Sequence, residues 1–232
     1  MTFFLVNHKI PESAEDIISQ YGRVIRIPAF EKLAYPVDAH PDMQAVNING
    51  KHFIHGSNTA LAAILEAHGI PCAVTEAPVG AEYPRDVALN LFSVKDTLFA
   101  NMKYASPEVT EFAEAHGITS VHVKQGYAKC SSMLLGDAVV SADRSIYNAA
   151  VLRGIDTLLI SAGNIGIEKY DTGFIGGASC LLCDGKVGVF GSLGSHPDHA
   201  EIRAFADKRG FEITELCEGA LFDYGGAVRI DI

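Results

Sequence analysis

The chain has 232 residues, of which 48% are hydrophobic and 20% charged. This balance fits a folded globular protein with enough material for a sizeable core, and argues against disorder. Acidic residues outnumber basic ones 28 to 18, giving a net charge of -10. That field opposes binding to nucleic acid and to anionic membrane.

No uncharged apolar run is long enough to span a bilayer, so no membrane segment is expected. The opening MTFFLVNHKIPESAED meets acidic residues at once and lacks the order of a secretory leader, which gives a cytoplasmic location as the default expectation. Cys72, Cys130, Cys180, Cys183 and Cys217 are odd in number and read as free thiols.

In chain order, FFLVN reads as a strand, ESAEDIISQYG as a helix and RVIRI at 23–27 as a strand. HPDMQAVNINGKHFI then reads as a hairpin turning at Asn49-Gly50. Ser57 precedes TALAAILEAHG, whose Leu61, Ile64 and Leu65 share a face, and IPCAVTE at 70–76 follows as a strand. VALNLFSVKDTLFA turns more weakly at Lys95-Asp96. Ser106-Pro107-Glu108 then opens a helix with Val109, Phe112 and Ala113 on one side, before ITSVHVK at 118–124.

The same order recurs twice more. Gly126–Val140 (GYAKCSSMLLGDAVV) leads through Ser145 and IYNAAVLRG to IDTLLIS at 155–161. Gly173–Val187 (GFIGGASCLLCDGKV) leads through His196-Pro197 and HAEIRAFADKRG to FEITELC at 211–217. The unit is strand, tight turn, strand, helix, strand. Four copies span roughly 38–80, 84–124, 125–165 and 171–217. The fifth is assembled from 221–232 plus 1–30, with FDYGGAVRIDI as its first strand and FFLVN as its second.

The expected fold is therefore a single α/β domain, a closed pseudo-fivefold ring of ββαβ units whose fifth unit is completed by both termini. Its short strands would surround a central channel. A doubly wound parallel sheet is disfavoured by the repeated hairpins and by the lack of a glycine phosphate loop.

A ring of this unit resembles the pentein fold, whose members include arginine deiminase, dimethylarginine dimethylaminohydrolase, agmatine deiminase, glycine amidinotransferase and a ribosome anti-association factor. The resemblance covers nearly the whole chain and is closest to a small bacterial member. It implies a Cys nucleophile in the last repeat, a His and acidic residues that grip a guanidinium. The segment Asp223–Ile230, DYGGAVRI, is similar to the glycine-rich approach to that nucleophile, and it contains no Cys.

Aligning the hairpin turns puts Asp42, Cys130, Gly177 and Gly226 at comparable positions, with Asp86 or Asn90 in the second repeat. His40, Asp42, Lys129, Cys130 and Asp223 are thus expected to face one cavity. Cys130 is the candidate nucleophile, because Lys129 beside it and Lys124 upstream would favour a thiolate. His40 or His196 would manage its proton. The alternative for Cys130 is a small packed residue at a strand start.

Asp42 and Asp223 are candidates for holding a cationic substrate, and Asn164 for adding an amide. The bland readings are that Asp42 caps local N–H groups and that Asn164 is an ordinary turn residue. Cys180 and Cys183 fall on opposite faces of a strand and read as structural. No His spacing signals a metal, and neither metal nor cofactor is expected. Two functions follow. One is a Cys-dependent hydrolase or transferase of a small cationic, guanidino compound held in the channel. The other is a non-catalytic binding or interaction protein on the same ring, favoured by the missing C-terminal Cys. Self-association into a homo-oligomer is compatible with both.

Overall fold

A computed structural model describes residues 1–232. The chain opens with β1 (Thr2–Asn7), α1 (Glu12–Ile18) and β2 (Arg23–Ile27). A short 3-10 turn at Val37–Ala39 and the one-turn α2 (Pro41–Gln44) lead into β3 (Ala45–Ile48), β4 (Lys51–His55), α3 (Thr59–Ala67) and β5 (Ala73–Thr75). Next come β6 (Phe92–Val94), β7 (Thr97–Ala100), α4 (Pro107–Ala115) and β8 (Thr119–His122). They are followed by β9 (Ser132–Leu135), β10 (Ala138–Ser141), α5 (Arg144–Leu152) and β11 (Thr157–Leu159). The last elements are β12 (Ser179–Cys183), β13 (Lys186–Val189), α6 (His199–Asp207), β14 (Glu212–Glu215) and β15 (Ala227–Asp231). No helix is long and apolar enough to cross a membrane.

These strands form five three-stranded sheets, each with the same topology. The first two strands make an antiparallel hairpin and the third runs parallel to the second, as in β3–β4–β5. The tight turns follow from their residues. Asn49 and Gly50 sit at φ 48° and 81°, the left-handed pair that a two-residue hairpin requires. In the remaining sheet β15 replaces the first strand. It runs antiparallel to β1 with Thr2 opposite Asp231 and Val6 opposite Ala227, while β1 runs parallel to β2. The two ends of the chain stand where the other sheets have a turn, and Thr2 Oγ1 donates to Asp231 Oδ1 at 2.6 Å.

Four helices share one design. Each buries a pair of residues at i and i+4: Leu61 and Leu65, Val109 and Ala113, Ile146 and Ala150, Ile202 and Ala206. Each ends at a glycine in the left-handed region, Gly69, Gly117, Gly154 or Gly210. Apolar clusters then tie each sheet to the next. Val46 and Phe53 pack with Leu91, Leu98 and the α4 pair. Phe92 and Phe99 pack with Val139 and the α5 pair. Met133 and Val140 pack with Val187 and the α6 pair. Leu182 and Phe190 pack with Phe4 and Val6, and Phe3 and Leu5 pack with Ile54 and the α3 pair. Each helix therefore caps a seam between two sheets. Burying each large aliphatic there contributes about 1.5–3 kcal/mol.

Candidate functional site

The entries to the five first strands are joined by hydrogen bonds. Asp42 N–H donates to the Gly225 carbonyl at 3.4 Å, and Cys130 N–H to the Asn90 Oδ1 at 3.1 Å. Gly177 N–H donates to the Cys130 carbonyl at 3.0 Å, and Gly226 N–H to the Gly177 carbonyl at 2.6 Å. Asn90 closes the remaining link by donating its Nδ2 to the Asp42 carbonyl at 3.1 Å. In the second repeat a side-chain amide thus does what a peptide group does in the others, accepting from one neighbour and donating to the next. This circuit brings His40, Asp42, Asn90, Cys130 and Asp223 together, all of them buried.

Local sequence explains each placement. Pro41 starts α2 behind an extended His40, which seats Asp42 in the first turn. Asp223 is fixed by two backbone donors, Phe174 N–H to Oδ2 at 2.8 Å and Gly225 N–H to Oδ1 at 2.9 Å. His40 Nδ1 lies 3.7 Å from Asp223 Oδ1, an ion pair whenever the ring is protonated. Gly177 is required here, because a Cβ at that position would land on the Asp223 carboxyl.

The electrostatics of the cluster are uneven. No N–H or O–H group donates to either carboxyl oxygen of Asp42, and the Cys130 thiol is its one hydrogen-bonding neighbour. Burial pushes the Asp42 carboxyl up to about 6, against the opposing pull of His40 and Lys129. The Cys130 thiol accepts from Asn90 Nδ2 at 2.9 Å and lies 4.0 Å from Met43 Sδ. Burial, then the negative charges of Asp42 and Asp223, raise this thiol well above its ordinary value.

The cluster is reached from two sides. Asp42, Lys129 and Cys180 line a cavity of about 400 Å³. All five first strands contribute to its walls, through Val46, Phe92, Leu134, Leu181 and Val228. His40 and Asp223 line a second cavity of about 130 Å³, with Lys9, Glu168 and Tyr224. No group of three or more His, Cys, Asp or Glu stands placed to hold a metal ion.

Four of the sequence-derived candidates, His40, Asp42, Cys130 and Asp223, thus form one cluster, and Lys129 joins Asp42 at the larger cavity. Asn164 does not. It is exposed, at φ 62° in a loop. His196 is also elsewhere, buried at the start of α6 with its Nδ1 accepting from Asp198 N–H at 3.1 Å. The expectation that Lys129 activates Cys130 is reversed. Its charge acts on Asp42 and Cys180 in the cavity, while burial and two carboxylates dominate at the thiol. No His donates to or accepts from Cys130. Its polar neighbours are Asp42 and Asn90, the latter offered by the turn-anchored alignment only as an alternative to Asp86. Asp86 instead accepts from the Tyr127 hydroxyl at 2.6 Å. The five cysteines are free, with Cys180 buried and Cys183 half-buried beyond a register shift in β12.

Five such three-stranded sheets have the architecture of the pentein fold, and solved structures of that fold superpose on the chain. Dimethylarginine dimethylaminohydrolase from Pseudomonas aeruginosa, in complex with citrulline, matches with a TM-score of 0.58 at 11% identity, over 99% of this chain and 98% of that one. Agmatine deiminase from C. jejuni gives 0.55 at 8% identity, over 92% and 87%. An amidinotransferase of the saxitoxin pathway from Microseira wollei gives 0.54 at 11% identity, over the same shares. At these identities the likeness is one of fold. The chain itself belongs to a family of unknown function, DUF6873, whose profile matches residues 5–228. No curated protein matches it by sequence.

Proposed function

We propose that the five sheets close into a pseudo-fivefold ring and that the 400 Å³ cavity on its axis binds a small cationic molecule, with Asp42 holding the positive group. The observation that carries this reading is the Asp42 carboxyl, buried in the cavity wall with no N–H, O–H or cation meeting either oxygen and only the Cys130 thiol beside it. A buried carboxylate costs several kcal/mol unless a cation or donors meet it. A planar guanidinium meets both oxygens at once. The guanidino chemistry in the names of the structural neighbours supports that class. Lys129 on the same wall favours a ligand with one positive group over a polycation.

The thiol favours binding over turnover, because burial and carboxylates oppose its ionisation and no His hydrogen-bonds to it. A second reading, a Cys-dependent hydrolase or transferase, rests on the two carboxylates that raise the Cys130 thiol. A cation seated at Asp42 offsets that negative field and lowers the cost of a thiolate. Titration calorimetry with methylguanidinium and n-butylammonium tests the first reading. Saturable binding that is lost in Asp42→Asn supports it, and no heat from either probe overturns it. Release of ammonia or amine from guanidino compounds, abolished in Cys130→Ala, would replace binding with turnover.

A further inference from the structure

We propose that residues 29–37 form a hinged strap over Cys130, and that release of its tip at Tyr35 opens the thiol side of the polar cluster to solvent-borne reagents. The inference is independent of what occupies the larger cavity. Between β2 and α2 the chain holds little regular structure, yet its Phe30 and Leu33 are buried against Met43 and Cys130. Val37 of the strap, Val79, Tyr127 and Phe174 pack against this small apolar cluster, which is separate from the five that tie the sheets together. Cys130 is therefore covered on this side by loop residues rather than by a sheet.

The strap is clamped at its base and only latched at its tip. Gln44 Nε2 donates to the Pro28 carbonyl at 3.0 Å and to the Asp38 carbonyl at 2.7 Å, fixing both ends of the loop with one side chain. Phe30 N–H donates to the Asp38 carbonyl at 2.8 Å. That is the geometry of a closed surface loop with a defined hinge. At the tip, the exposed Tyr35 donates its hydroxyl to Glu168 Oε2. Lys9 Nζ lies 4.2 Å and Lys169 Nζ 4.3 Å from the Tyr35 ring centre. Lys9 also pairs with Glu168 at 3.2 Å. Contacts of this kind, exposed and ionic, are weak and screened by salt. Beneath the latch lies the 130 Å³ cavity that reaches His40 and Asp223, with Pro36 of the strap in its wall. Opening the strap would enlarge that cavity toward Cys130. Local opening of such a segment costs less than global unfolding.

The test is alkylation of the folded protein by N-ethylmaleimide at pH 8.5, with each cysteine followed by peptide mass spectrometry. In Tyr35→Ala and Glu168→Gln the Cys130 rate should rise roughly three- to tenfold, the scale of losing such contacts. Raised salt should accelerate Cys130 in the wild type. A Tyr35→Cys/Glu168→Cys pair, oxidised, should suppress labelling of Cys130 and release it on reduction. Cys180, buried away from the strap, is the internal control. Two outcomes overturn the proposal: a Cys130 rate unchanged by latch removal, or Cys130 and Cys180 rising together, which would report general loosening.

Discussion

Asp42 links the stability of the fold to the proposed binding of a cation. Its carboxyl rises from an ordinary 3.8 to about 6 on folding, so the folded chain holds the proton more tightly than the unfolded chain. Stability contributed by the protonated group is then full below pH 4 and falls as pH rises to about 6, by about 3 kcal/mol in all. Asp42→Asn removes that penalty. The variant should match the wild type in chemical denaturation near pH 4 and exceed it by about 2–3 kcal/mol at pH 8. Much of this cluster was legible in the sequence, because counting back from each hairpin turn put Asp42 and Cys130 at equivalent strand entries. The thiol's state was not legible. Lys129 adjoins Cys130 in sequence, but proximity along a strand says nothing of burial or of which group a charge faces, and both decided against a thiolate.

At the scale of elements, the periodic apolar residues located α3 to α6, but the one-turn α2 that seats Asp42 was read as part of a hairpin, and the caps were displaced. Sequence pointed to Ser57 and Ser145, whereas Asn58 and Asp143 hold those positions. Ser and Asx side chains compete for the same N–H groups, and backbone geometry at the preceding loop selects among them. Asp143 Oδ1 accepts from Ser145 N–H at 2.8 Å and Ile146 N–H at 3.0 Å. Asp143→Ala should therefore cost about 1–2 kcal/mol in urea denaturation. Gly177→Ala should cost more, about 3 kcal/mol or above, because the new methyl meets the Asp223 carboxyl and breaks its two backbone bonds. That variant should also lose methylguanidinium binding if the cluster must be intact to shape the cavity.

For the whole molecule, the repeat was readable because each unit carries the same turn and the same stopping glycine, and the meeting of the two ends followed from counting units. The pairing of β15 with β1 bears that out. It also predicts that the chain can be cut elsewhere. Joining Ile232 to Met1 through a two-residue Asn-Gly turn and reopening at Asn49-Gly50 should give a protein with cooperative thermal unfolding and unchanged cation binding. Loss of both would mean that the ends do more than stand in for a hairpin turn. The most direct measurement is the carbon-13 NMR titration of the Asp42 carboxyl, with and without methylguanidinium. A cation anchor buried with no N–H, O–H or cation meeting it should titrate near pH 6 when free and move to lower pH when the probe binds. A free midpoint near 3.8, or one that methylguanidinium leaves in place, would contradict Asp42 as the residue that receives the ligand.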